Sequence, residues 1–208
     1  MSKKKTKEKK SRPLPKPNRQ ISNSMIRPFA AIGVNPILQR AREFPIHSCW
    51  IMNDWQASGL TNIIVARTQE DGRILFGSYL VDLLCLGLKD CFTRSDYAPN
   101  RFQRDLPDLL RGDGEPISVE LAHEIIHGAI EYARGLGLEP HPDFQRLAAD
   151  QVLDPPDAHP RSGQVEFGKN GKPLFIPGPY DNEVKISAVL GTLKRTVGEG
   201  NFDFLVMG

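Results

Sequence analysis

Hydrophobic residues recur at helical spacing along residues 118–138, SVELAHEIIHGAIEYARGLGL, the longest periodic segment of the chain. Placing residues every 100° puts a broad apolar arc on one side and the polar residues on the other. Ser118 is a typical N-cap, and Gly135 and Gly137 mark the far end. The pattern predicts one long amphipathic helix that packs its apolar side on a sheet.

Two glycine turns flanked by β-forming runs predict that sheet. Residues 61–67 and 73–80 surround Asp71-Gly72, and residues 164–168 and 172–176 surround Asn170-Gly171. Both patterns are typical of β-hairpins, which are antiparallel. We therefore expect a single α+β domain with a largely antiparallel sheet built from two hairpins and with helices packed on one face. Other predicted elements are strands at 46–52 and 202–207, and helices within 97–110, from 141, and from 181 to 197.

The predicted domain organisation has three parts. Residues 1–20 are rich in lysine and proline, which predicts a disordered basic tail. Residues 21–44 form a transition segment with a short helix at 35–43. Residues 45–208 form the compact α+β domain, which is long enough to bury one core.

Charge is distributed unevenly between these parts. The chain has 27 Lys or Arg against 25 Asp or Glu, a net of +2. Residues 1–19 hold nine Lys or Arg and one Glu, a net of +8, which leaves 18 against 24, or −6, for the rest. Such a tail can neutralise the phosphates of RNA, DNA or a ribonucleoprotein, although a tail that serves only solubility explains it equally well. The candidate nucleic-acid-binding residues are Lys3, Lys4, Lys5, Lys7, Lys9, Lys10 and Arg12.

The polar side of the predicted helix carries His123-Glu124-Ile125-Ile126-His127, which matches the HExxH pattern of zincin metalloproteases. The spacing directs two imidazoles at one zinc ion, and Glu124 would act as general base on the zinc-bound water. Glu131, one turn further along, is the candidate third ligand. The motif therefore predicts a zinc site, with zinc as the one cofactor the sequence points to.

Other interpretations of these residues remain open. Asp143 or Glu166 could serve as the third ligand instead of Glu131. In the simplest interpretation the two histidines lie on a solvated helix face, and His159, in the proline-rich loop 154–161, is solvated too. A zinc site would need a second layer of structure to cover the polar side of the helix.

Location and cysteine usage add two expectations. The sequence has no apolar run long enough to span a bilayer and no signal-peptide core, which predicts a cytoplasmic protein without a membrane partner. Cys49, Cys85 and Cys91 are odd in number and lack CxxC spacing. We expect them to be buried free thiols.

Five runs resemble a family of bacterial proteins described as hypothetical: PIHSCWIMNDW, GLTNIIVAR, ILFGSYLVDLLCLGLKD, GAIEYARGLGLEPHPDF and VEFGKNGKPLFIPGPYDN. The resemblance covers roughly residues 45–205 and leaves the basic tail outside. It implies no activity and no catalytic residue.

Two functional hypotheses follow from the sequence. The first is a cytoplasmic accessory or binding protein that engages nucleic acid or a nucleoprotein through its lysine-rich tail. The second is a zinc-dependent hydrolase that uses the helix at 118–138. The sequence leaves open whether the protein is an enzyme, what its oligomeric state is, and whether its acidic body binds a protein partner.

Overall fold

A five-stranded antiparallel sheet is the centre of the fold. The computed structural model describes residues 35–205, so the predicted tail 1–20 and most of the transition segment lie outside it. The α+β class and the antiparallel sheet are confirmed. In spatial order the strands are β4 (Gly87–Tyr97), β3 (Ile74–Asp82), β2 (Leu60–Thr68), β1 (Ile46–Met52) and β5 (Gly114–Ile117).

The hairpin predicted around Asp71-Gly72 forms as expected. β2 and β3 pair in unbroken register from Leu60 opposite Asp82 to Thr68 opposite Ile74. Gly72 has a φ of +79°, a left-handed conformation that glycine adopts without strain. Asp82, at the far end of β3, accepts hydrogen bonds from the backbone N–H groups of Leu84 and Cys85, so it shapes the turn into β4.

Helices cover both faces of the sheet, whereas one covered face was predicted. Ile63 and Val65 of β2 face the core that contains the long central helix, and Ile64 and Ala66 face a second core under another helix. A strand that is apolar at consecutive positions must be covered on both sides. The helices are α1 (Pro36–Gln39), α2 (Trp55–Ser58), α3 (Pro99–Leu110), α4 (Val119–Gly135), α5 (Asp143–Arg146), α6 (Ala149–Val152) and α7 (Glu183–Thr196), of which α3 covers the second face.

The long central helix, α4, matches its prediction closely. Ser118 caps it by accepting a hydrogen bond from the Leu121 N–H, and Gly137 follows its end with a φ of +79°. Ile125 and Ile126 are fully buried against the sheet.

The predicted boundary of the body lay at residue 45, but the packed body begins before that residue. A short 3-10 turn, Ala41–Glu43, follows α1. Leu38, Ala41 and Phe44 are buried in the same core as α4. The end of the transition segment is therefore part of the body.

The second predicted hairpin forms only its turn. Lys169 and Lys172 make an isolated bridge around Asn170-Gly171, but the arms beyond them separate. The Gly168 N–H donates to the Leu83 carbonyl and the Leu174 N–H to the Leu84 carbonyl, so both arms bond to the β3–β4 turn. Instead of a hairpin, β6 (Leu174–Phe175) pairs in parallel with β7 (Asp203–Phe204), the predicted C-terminal strand.

Two expectations about cysteines and membranes can be compared with the structure. All three cysteines are free and buried, and burial raises the pKa of each thiol to about 12. Within residues 35–205, no helix combines the length and hydrophobicity that crossing a bilayer requires.

The close packing of Tyr79 over Gly77 gives a test of the fold. Tyr79 is fully buried, and its hydroxyl donates to the Ala149 carbonyl at 2.8 Å. A Cβ atom on Gly77 would lie 2.2 Å from that hydroxyl oxygen, so Gly77→Ala must displace the ring. We expect Gly77→Ala to lower the free energy of unfolding by about 2–3 kcal/mol in urea denaturation. Gly135→Ala is the control, because nothing lies near its added methyl group, and equal stability of both variants would contradict the prediction.

Candidate functional site

The polar side of α4 is covered by the loop that follows α6. His123 is 2% exposed and Glu124 is 5% exposed, so the interpretation of a solvated face is wrong for both residues. The loop, residues 154–163, supplies their hydrogen-bond partners. The second layer that a sheltered site requires is therefore present, and we call this segment the covering loop.

Glu124 holds the far end of the covering loop. One carboxylate oxygen accepts the Ser162 N–H and the other accepts the Gly163 N–H, each at 2.9 Å. Burial raises the pKa of Glu124, but these amides, the Ser162 hydroxyl and the charge of Arg161 outweigh it, and the pKa is lowered. Glu124 is thus an ionised acceptor with both oxygens engaged.

Arg67, at the end of β2, holds the near end of the covering loop. Its guanidinium is buried and lies 2.6 Å from a carboxylate oxygen of Asp154. It also donates to the carbonyls of Val152 and Phe44, at 2.8 and 2.7 Å. Partial burial raises the pKa of Asp154, but hydrogen bonds from His159 and Arg67 outweigh it, and the pKa is lowered. The loop is therefore fixed at both ends.

Three imidazoles lie side by side at this site. The ring centres of His123 and His127 are 4.2 Å apart, and those of His123 and His159 are 4.9 Å apart. His123 Nε2 lies 2.9 Å from the Asp154 carbonyl oxygen and must donate to it. His159 Nε2 lies 2.9 Å from the second carboxylate oxygen of Asp154, so His159 is not simply solvated.

His127 differs from the other two histidines because its Nε2 is buried and has no hydrogen-bond partner among the described residues. Burial is the largest cause that lowers the pKa of His127, to about 4, and the neighbouring His123 is the second. Burial also lowers the pKa of His123, although the Asp154 carbonyl opposes the shift. Both rings are therefore neutral near pH 7.

The two histidines of the HExxH motif meet, but a zinc donor set does not form around them. Within residues 35–205, no three His, Cys, Asp or Glu side chains are arranged to hold a metal ion. His123 Nε2 is engaged by a carbonyl, and the candidate base Glu124 is engaged by two amides. The arrangement does not fit a zinc ion, and zinc binding stays a prediction from the motif.

The candidate third ligands lie in other environments. Glu131 is exposed and pairs with Arg161 of the covering loop at 2.5 Å. Asp143 lies in α5 and forms an ion pair with Arg146. Glu166 lines a different cavity. None of the three joins His123 and His127.

A cleft of about 410 Å³ opens beside His127. Its two arginines are already paired, Arg161 with Glu131 and Arg134 with Glu139. The cleft therefore offers an incoming anion no free guanidinium. Its lining residues are His127, Ile130, Glu131, Arg134, Pro156, Asp157 and Arg161.

Sequence reasoning missed two residues on which this site depends, Arg67 and Asp154. Arg67 ends a run of buried apolar residues in β2, a signal that could have marked it as a cation in need of partners. Nothing in the sequence around Asp154 identifies that partner. The candidate nucleic-acid-binding residues, Lys3 to Arg12, lie outside the described residues.

Comparison with known proteins gives no match to a family model, a curated protein or a solved structure. The functional argument therefore rests on the residues of this chain.

The role of Glu124 in holding the covering loop can be tested by amide hydrogen exchange. A glutamine at this position keeps one acceptor oxygen and loses the charge, so Glu124→Gln weakens the bonds to the Ser162 and Gly163 amides. We expect these two amides to exchange roughly 10- to 100-fold faster, measured by NMR. Glu139→Gln removes an exposed acid outside the loop and should leave them unchanged. Unchanged protection in Glu124→Gln would show that Glu124 does not hold the loop.

Burial of neutral His127 predicts a pH-dependent stability. Its pKa is about 4 in the folded protein and 6.5 in the reference state, so below pH 6.5 the unfolded chain takes up the proton more readily. Stability is therefore lost as the pH falls from 6.5 towards 4. After allowance for partial exposure, His127 contributes on the order of 1–2 kcal/mol to this loss.

Urea denaturation at about pH 7.5 and about pH 5 measures this contribution. We expect His127→Gln to lose less stability than the parent protein between the two conditions. His47→Gln, which alters an exposed histidine, should behave like the parent. The same pH dependence in parent and His127→Gln would overturn the assignment.

Proposed function

We propose that this chain is a small cytoplasmic binding or accessory protein that engages RNA, DNA or a nucleoprotein through its basic N-terminal segment. The observation that carries the proposal is the division of charge, +8 within residues 1–19 and −6 over the rest. A polyanion is attracted to the first part and repelled by the second. Contact through lysine and arginine to phosphate depends on salt and is independent of base sequence.

The ion pairs of the body support this division. Most lysine and arginine side chains of residues 35–205 lie within ion-pair distance of a carboxylate, which reduces the positive field that they present to a polyanion. Examples are Arg40 with Glu43, Arg73 with Asp71, Arg101 and Arg104 with Asp105, Lys185 with Asp181, and Lys194 with Glu199.

The contacts of α4 support binding over hydrolysis. A general base needs a carboxylate that is free to take a proton from water, and both oxygens of Glu124 accept backbone N–H groups. A zinc-dependent hydrolase makes a contrasting prediction, namely an activity that chelation and Glu124→Gln both abolish.

Deletion of residues 1–19 tests the proposal. We expect the full chain to bind labelled single-stranded RNA and duplex DNA in fluorescence anisotropy, and the deletion variant to lose that binding. If all seven candidate cations contact phosphate, log K against log salt has a slope of about −6 on duplex DNA and about −5 on a single strand.

Two variants separate charge from the mere presence of the segment. Glutamine at all seven candidate positions keeps the length of the segment and should lose most of the affinity and the salt dependence. Glutamine at Lys169, Lys172, Lys185 and Lys194 of the body should lose neither. Nucleic-acid affinity that survives the deletion would refute the proposal.

A further inference from the structure

A second cavity lies between α2, the β3–β4 turn and residues 164–176. Its volume is about 330 Å³, within the range of small-molecule sites, and it is more enclosed than the cleft beside His127. It does not involve the covering loop. The lining residues are Trp55, Gln56, Ala57, Ser58, Gly59, Leu83, Leu84, Gln164, Glu166, Gly168, Lys169, Leu174 and Ile176.

The walls of this cavity are partly apolar and partly polar, and backbone hydrogen bonds hold them in place. Trp55 and Leu83 are buried, and Leu174 and Ile176 are half-buried. The bonds from Gly168 N–H to the Leu83 carbonyl and from Leu174 N–H to the Leu84 carbonyl, at 2.8 and 3.0 Å, fix one wall to the other. The apolar part of the wall, formed by Trp55, Leu83, Leu174 and Ile176, suits a single leucine- or phenylalanine-sized group.

The rim of the cavity carries two opposite charges, Glu166 and Lys169, and both side chains are exposed. Neither forms an ion pair with any described residue, including each other. Glu166 can accept from an ammonium group and Lys169 can donate to a carboxylate.

We propose that this cavity binds a free amino acid with an apolar side chain. The side chain lies against Trp55, Leu83 and Leu174, the ammonium group meets Glu166, and the carboxylate meets Lys169. A zwitterion satisfies both rim charges at once, whereas a simple acid or amine satisfies one. None of the lining residues belongs to residues 1–19, so the test of this site is independent of nucleic-acid binding.

Trp55 provides the readout, because the chain has two tryptophans and Trp50 can be removed. Trp50 Nε1 is buried without a hydrogen-bond partner among the described residues, so Trp50→Phe loses no such bond. In that background we expect L-leucine or L-phenylalanine to change the Trp55 emission in a saturable way. 4-Methylpentanoate, which lacks the ammonium group, and 3-methylbutylamine, which lacks the carboxylate, should each bind roughly three- to tenfold more weakly than leucine.

Rim variants assign each charge to its group. Lys169→Met should weaken leucine and 4-methylpentanoate by roughly three- to tenfold and leave 3-methylbutylamine unchanged, and Glu166→Gln should show the reverse pattern for the two analogues. Lys172→Met is the matched control, because Lys172 lies on the other shoulder of the same turn and outside the cavity. Ala57→Leu narrows the cavity and should abolish the signal in a variant whose circular dichroism is unchanged.

Two results would overturn this inference. The first is the absence of a saturable Trp55 response to either amino acid. The second is equal affinity for leucine and both analogues, since the cavity would then recognise only an apolar group.

Discussion

The buried guanidinium of Arg67 is the constraint on which the candidate site depends. Removing such a charge from water costs several kcal/mol, so the fold must surround it with acceptors. Those acceptors come from three separate segments: the Phe44 carbonyl before β1, the Val152 carbonyl in α6, and the Asp154 carboxylate. One side chain of β2 thereby holds three parts of the chain in place: the segment before β1, the short helix α6, and the start of the covering loop.

Asp154 then provides hydrogen-bond partners for His123 and His159. Its carbonyl oxygen accepts a hydrogen bond from His123 Nε2, and its second carboxylate oxygen lies at hydrogen-bond distance from His159. The loop that continues from it closes over α4 and ends on Glu124. A helix with i, i+4 histidines always brings two imidazoles together, but their chemistry depends on what covers them. Here the cover supplies backbone groups, and His123 and Glu124 of the HExxH motif are its attachment points.

Local patterns predicted the parts of the fold that local interactions determine. The sequence predicted the N-cap and the apolar spacing of α4, and the turn between β2 and β3, because the residues that determine them are close in sequence. The arms beside Asn170-Gly171 were not, because Gly168 and Leu174 bond to carbonyls of the β3–β4 turn that are about 85–90 residues away. The same holds for the candidate site, since Arg67 meets Asp154 across 87 positions. The second covered face could have been predicted, because Ile63, Ile64, Val65 and Ala66 form an unbroken apolar run. In the structure these residues alternate between the two cores.

The charges of the described residues divide into those that are paired and those that are not, and this limits where specific recognition can occur. The cleft beside His127 has its arginines paired with acids, so an anion there must compete with existing partners. Contacts from a lysine segment to phosphate carry no sequence information. A shaped cavity with a partly apolar wall and two unpaired rim charges can distinguish ligands by size and by both charges at once. In the two proposals, attraction and discrimination fall to different parts of this chain, the first to residues 1–19 and the second to the cavity beside Trp55.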